Sequence, residues 1–266
     1  MQKIFLKFST LVVVCLLIQA CVEEEIAPRE DPQSATITSS ESGRLNVNNS
    51  FSANIRMWSD EFLYATITLE GTTIGKKITI NWGDGTVETY TFTEGYDGQA
   101  TLNMEHHYAT AEQFTITMTG DLTTVVSVID PLNTVDILSI NFDRLSNLEN
   151  LHMPYNSLEI LDVSKNRRLR RLYGPSSTLT KSIILPNTHE LNFIASGSPN
   201  LPTEVVSAMI SSVYKNAVRK KIYNGDFELA SILAEDPAFP GPPTAEDMAK
   251  LIELRDVYGW RIFPNP

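Results

Sequence analysis

The side chains suited to chemistry are few in this 266-residue chain. It holds four histidines (His106, His107, His152 and His189) and two cysteines, Cys15 and Cys21. There is no glycine-rich phosphate loop with its lysine, no His-Glu-x-x-His and no Gly-x-Ser-x-Gly turn. The expectation is therefore a protein that is not an enzyme and that carries no metal and no cofactor. His107 and Glu105 have the composition of a metal pair. However, neighbours on a strand point to opposite faces, which separates His106 from His107. His106 suits a structural hydrogen bond better, and His189 stands in a turn with no evident partner.

Binding chemistry is better represented. Lys165, Arg167, Arg168, Arg170 and Arg171 fall within seven residues of an otherwise acidic chain. Guanidinium forks pair with carboxylate or sulfate, so the run is a candidate contact for an anionic polysaccharide or an acidic protein surface. The alternative is a solvated loop that balances Glu149, Glu159 and Asp162. Lys215, Arg219, Lys220 and Lys221 read as charges that oppose a helix dipole. His152, Tyr155 and Tyr173 make a candidate polar-aromatic patch, since such rings offer contact area at low entropic cost. Scattered surface residues are the alternative there.

The N-terminus assigns a compartment. Lys3 and Lys7 precede an apolar run at residues 11–18, too short to span a bilayer core of roughly 30 Å. A basic start, a short apolar stretch and a small residue before a break make an export signal. The break, Ile18-Gln19-Ala20-Cys21, resembles the lipobox of bacterial lipoproteins, although the family usually has Leu where Ile18 stands and rarely has Gln at 19. The resemblance implies cleavage after residue 20 and lipidation of Cys21. Acyl chains would then partner the protein with a membrane, each buried methylene contributing about 0.8 kcal/mol. The following Val22-Glu23-Glu24-Glu25 is similar to the acidic signal of some surface lipoproteins. It implies outer-membrane anchoring with display on the cell exterior, with periplasmic residence as the rival.

Removing residues 1–20 takes away two lysines and no acid, moving the net charge from −11 to −13. That balance argues against nucleic acid as a partner, which needs a basic footprint. Residues 21–50 are rich in Glu, Ser, Pro, Thr and Asn and bury too little to order themselves, so they read as an acidic flexible tether.

From residue 51 to about 130 the chain turns to short alternating runs separated by Gly-rich turns, which suggests two packed sheets. Trp82-Gly83-Asp84-Gly85-Thr86 resembles the W-x-F-G-D-G-T turn of polycystic-kidney-disease (PKD) type domains. Downstream, His106-x-Tyr108-x3-Glu112-x-Phe114-x-Ile116 is similar to that family's H-x-Y-x3-G-x-Y-x-V run, with Glu112 in place of glycine. The resemblance implies a spacer or presenting module. Asp-Gly supplies the positive φ a tight hairpin needs, and Trp82 and Phe114 are expected in the core.

Residues 131–266 carry an internal repeat. Leu151, Leu161, Leu172, Ile183 and Phe193 begin short apolar pairs spaced 10, 11, 11 and 10 residues apart. Leu148, Leu158 and Leu169 precede three of them, and Asn156, Asn166 and Ser177 follow. The pattern resembles a short bacterial leucine-rich-repeat array with about 21 residues per coil and two strands in each. Pro154 and Pro175 exclude one helix through this region. Two helices follow, one opened by Pro202-Thr203 and one by the box Thr244-Ala245-Glu246-Asp247, the second ending at Gly259. Trp260 is expected to cover the last exposed core, since a solenoid needs an atypical end unit.

The expected fold is thus mainly β with α: a PKD-like β-sandwich followed by a short leucine-rich-repeat solenoid with a helical C-terminal cap. The expected function is a non-catalytic cell-surface module that recognises a protein or other macromolecular ligand through the repeats. A glycan-binding lipoprotein of a polysaccharide-uptake system is the alternative.

Overall fold

A computed structural model describes residues 50–266, except residues 58–60, 62, 97, 130, 133, 155, 157 and 231–237. The expected signal peptide, Cys21, nearly all of the tether, and Tyr155 lie outside the described residues. The fold is mainly β-sheet with two helices.

Nine strands come first, several of which alternate buried and outward residues at the period of two that a half-buried strand requires. They are β1 (Phe51–Met57), β2 (Tyr64–Gly71), β3 (Lys77–Asn81), β4 (Val87–Thr91), β5 (Thr93–Glu94), β6 (Ala100–His107), β7 (Gln113–Gly120), β8 (Val125–Ile129) and β9 (Val135–Asn141). One antiparallel sheet has the order β4-β3-β7-β1-β9. A second runs β5-β6-β2-β8, also antiparallel. Phe51, Ile55, Ile67, Leu69, Ile80, Met104 and Ile116 fill the core between them.

The Trp82 hairpin joins β3 to β4, with the Trp82 amide donating to the Thr86 carbonyl at 3.0 Å and the indole buried. Gly83 and Gly85 hold φ of 92° and 99°, which side chains bearing a Cβ adopt only with strain. The Asp84 carboxylate accepts the Thr86 amide at 2.9 Å and meets His106 Nε2 at 2.8 Å. His106 stacks on Trp82 with centroids 5.0 Å apart, and Tyr108 Oη donates to the Trp82 carbonyl at 3.0 Å. Burial pushes the Asp84 carboxyl up. The hydrogen bonds from His106 and Thr86, with the pull of the imidazole, outweigh it and hold the carboxyl below its usual range.

Beyond β8 the pairing turns parallel. Strands β10 (Asn150–His152), β12 (Arg171–Tyr173), β14 (Phe193–Ala195), β15 (Asp226–Glu228) and β16 (Arg261–Phe263) add in order to β8, giving one nine-stranded sheet. Strands β11 (Ile160–Asp162) and β13 (Ser182–Ile184) form a separate parallel pair. Leu151 aligns with Leu172, and Leu161 with Ile183, all nearly fully buried. The expected boundary at 130/131 falls between β8 and β9, which lie in different sheets around the same core.

Polar side chains stitch each coil to the one before. Asn166 Nδ2 donates to the Phe142 and Leu145 carbonyls at 3.0 and 2.9 Å. Thr180 Oγ1 donates to the Leu158 carbonyl at 2.7 Å, and Ser198 Oγ to that of Pro175 at 2.6 Å. These groups are buried, so each bond spares a carbonyl that water cannot reach.

In the last coils helices replace the second strand. Helix α1 (Thr203–Lys220) lies between β14 and β15, and helix α2 (Ala245–Tyr258) between β15 and β16. Helix α1 turns Val206, Met209, Ile210 and Val213 inward. Helix α2 starts at the Thr244–Asp247 capping box, both reciprocal bonds present, and stops at Gly259 in the left-handed region. The sequence reading places no strand between the helices, yet β15 seats Phe227 in the core. Trp260 is buried against the preceding coil, where its Nε1 donates to the Ile222 carbonyl at 2.9 Å. A Cβ on Gly225 would come within 2.7 Å of that indole.

Two alanine substitutions test the hairpin. A Cβ at Gly85 meets nothing within 4 Å, whereas one at Gly83 lies 2.7 Å from the Thr115 carbonyl oxygen. Gly85→Ala should cost about 1–2 kcal/mol from its dihedral alone. Gly83→Ala, with backbone contact added, should cost more than about 3 kcal/mol in urea unfolding. Equal losses would refute the close approach at Gly83.

Candidate recognition face

The outward side of the parallel strands carries two side-chain rows set by the register. One runs Ser127, Asn150, Arg171, Phe193, Asp226, Arg261. The other runs Ile129, His152, Tyr173, Ala195, Glu228, Phe263.

Aromatic rings couple the rows. His152 meets Tyr173 edge-on at 4.6 Å between centroids, and Tyr173 tilts 34° against Phe193 at 4.3 Å. Such pairs contribute about 0.5–1.5 kcal/mol beyond their area. The Arg171 guanidinium lies 5.8 Å from the Phe193 ring centre, within cation–π range. At the far end Arg261 bridges Asp226 and Glu228, each at 2.6 Å. Tyr173 keeps 37% of its surface exposed, while Phe193 keeps only 7%. Tyr173 is therefore the ring that offers area to a ligand, and Phe193 the one that holds it in place.

An open depression of about 490 Å³ lies beside the ladder, lined by Glu70, Gln99, Asn150, His152, Arg171 and Tyr173 among others. It combines one guanidinium, one carboxylate, two amides and two rings. That set suits directional polar contacts around an aromatic anchor. Among the described residues, no group of three His, Cys, Asp or Glu side chains is placed to hold a metal ion.

The predicted set divides here. His152, Tyr173 and Arg171 come together on the face, and Tyr155 is outside the described residues. Arg170, one residue from Arg171, leaves the face for the edge of the coils, where it pairs with Glu190 at 3.2 Å and approaches Glu149 at 3.9 Å. Arg167 and Arg168 are exposed in the turn before β12. The arginines are thus not one strip.

Phe193 was missed. The spacing reading sets it level with Leu172, but the register pairs Leu172 with Ile194 and Arg171 with Phe193. The coil from β12 to β14 is one residue longer than the one before, which moves Phe193 to the outer face. Counting eleven residues on from Ile183 lands on Ile194 and would have found this.

No family model, curated protein or solved structure matches this chain.

His189, expected to stand in a turn with no evident partner, has partners on both ring nitrogens. It is fully buried, and the amide of Leu191 donates to its Nδ1 at 3.2 Å. In the neutral ring Nε2 then carries the proton, with Ser212 Oγ at 3.0 Å as acceptor. Its side-chain partners Ser212 and Asn216 come from α1, out of sight of local sequence. Burial, with repulsion from Lys220 and Arg219, pushes its pKa down from 6.5 to about 4. The unfolded chain binds this proton near 6.5 and the folded chain only near 4. Stability is therefore full above pH 6.5 and falls as pH drops through that window, by up to about 3 kcal/mol. Urea midpoints should show that fall, flattened in His189→Gln. A wild-type profile level from pH 7 to 4.5 would contradict the buried neutral ring.

Proposed function

We propose that this chain is a lipid-anchored protein of the bacterial outer surface that binds a protein ligand, without catalysis, through the outer face of its parallel strands. In this reading the antiparallel strands form a PKD-like β-sandwich, and the coils from β10 onward form a leucine-rich-repeat solenoid. The sandwich holds the recognition face away from the membrane, and Cys21 carries the lipid.

The carrying observation is the ladder of His152, Tyr173 and Phe193 beside Arg171. Interfaces concentrate binding energy in aromatic and arginine side chains seated in well-packed surroundings, and Phe193 packs under both Tyr173 and Arg171. The ring planes bear on the choice of ligand. His152 stands at 64° to Tyr173, so the rings do not form the flat row on which a neutral sugar chain would stack. A protein surface, with its own side chains to interdigitate, fits that relief better. Among the described residues, no helix is long and apolar enough to cross a membrane.

The test is retention of the mature chain on immobilised extracellular-matrix proteins and on neutral polysaccharides. Retention on a protein is expected, with Tyr173→Ala and Arg171→Ala each weakening it by about tenfold or more. Ile160→Ser, on the exposed side of the β11–β13 pair, should leave it unchanged. Retention confined to neutral polysaccharide, or indifference to Tyr173→Ala, would contradict the reading.

A further inference from the structure

Two basic runs far apart in sequence meet on one edge of the molecule. The turn before β12 carries Arg167, Arg168 and Arg170, and the end of α1 carries Arg219, Lys220 and Lys221, all six exposed. Glu190 joins the runs, taking Arg170 at 3.2 Å and Lys220 at 3.6 Å. In the same turn Thr188 Oγ1 accepts from Arg219 at 3.4 Å. Backbone bonds stack that turn on the first, from Glu190 N to the Leu169 carbonyl at 3.2 Å and from Asn192 N to that of Arg170 at 2.9 Å. Cations at a helix C-terminus complement its dipole. That accounts for the position of Lys220, but not for its sharing Glu190 with Arg170 of another turn.

At the junction lies a depression of about 320 Å³ lined by Arg170, Glu190, Asn192, Lys220 and Ile222. It falls at the small end of ligand cavities. Glu190 occupies Arg170 and Lys220. Arg167, Arg168 and Lys221 make no ion pair with a described residue, and Arg219 is bonded to the neutral groups of Asn216 and Thr188. The edge is therefore positive on a chain of net charge −11.

We infer that this edge is a second binding site, separate from the aromatic face, for a linear polysaccharide bearing carboxylate or sulfate groups. A flat anionic surface such as a bilayer meets the whole molecule and is repelled by its acids. A thin chain along the edge meets only the charges within a Debye length, about 8 Å at physiological salt. The guanidinium groups match the planar oxygens of carboxylate and sulfate. The depression, with the Asn192 amide and the Ile222 side chain in its wall, takes a sugar ring better than the small carboxylate of an acidic peptide.

The experiment measures salt-dependent retention of the mature chain on dextran sulfate and on polygalacturonate. Neutral dextran, polyglutamate and phosphatidylglycerol vesicles serve as comparisons. Arg167→Ser with Arg168→Ser removes charge from one run. Lys220→Gln with Lys221→Asn does so from the other, asparagine tolerating the left-handed backbone at position 221. Each pair should weaken polysaccharide binding by roughly fivefold while thermal melting stays unchanged. Arg171→Ser should leave it intact. No retention on either charged polysaccharide would overturn the inference. So would retention indifferent to both pairs, equal loss in Arg171→Ser, or tighter binding to polyglutamate or vesicles.

Discussion

Strand β8 is bonded along both edges, antiparallel to β2 on one side and parallel to β10 on the other. A bare edge of that length would offer unpaired amides and carbonyls to any passing strand. Here the chain covers it with its own next coil, and every later coil repeats the solution. The antiparallel sheet thereby sets where the parallel one starts and which way its side chains face. Val128 points inward beside Leu69, so Leu151 must follow it into the core, leaving His152 outside beside Ile129.

That alternation carries to the end of the sheet. Leu151, Leu172, Ile194, Phe227 and Ile262 continue the inner row, so His152 and Tyr173 are left outward one coil apart. The outer face is a by-product of a core constraint: whatever stands either side of the buried residue is displayed. The helices serve the same end. By replacing the second strand in the last coils, α1 and α2 bury a wider apolar face than a three-residue strand can, and the C-terminus of α1 brings its cations to the coil edge.

Much of this was legible locally. Alternation marks β2, β3, β4 and β7, the Asp-Gly turn marks the Trp82 hairpin, and the Thr244–Asp247 box marks the start of α2. The 21-residue offset from His152 to Tyr173 places both side chains on one side. What was not legible depends on stacking between coils. One extra residue between β12 and β14 moves Phe193 outward, which a nearly regular spacing conceals. Strand β15 is only three residues, Asp-Phe-Glu, too short for its alternation to mark it; parallel pairing with β14 and β16 seats it, and Gly225 beside it packs against Trp260, thirty-five positions on. The side-chain partners of His189 lie on α1, and Glu190 joins Arg170 to Lys220 only after a whole coil has closed. Local pattern reveals elements, whereas sites made by neighbouring coils need the pitch between them.

Strand β8 ties the antiparallel and parallel regions into one sheet, which should open as one cooperative unit. Native-state hydrogen exchange of residues 21–266 in rising denaturant tests it most directly, because it reads the opening free energy of each region and the surface that opening exposes. Amides in β2, β8, β10 and β12 should converge on one opening with a common free energy and denaturant slope. If β10 and β12 open together at lower free energy and with a smaller slope while β2 and β8 stay protected, the coils are a separate unit and the account is wrong.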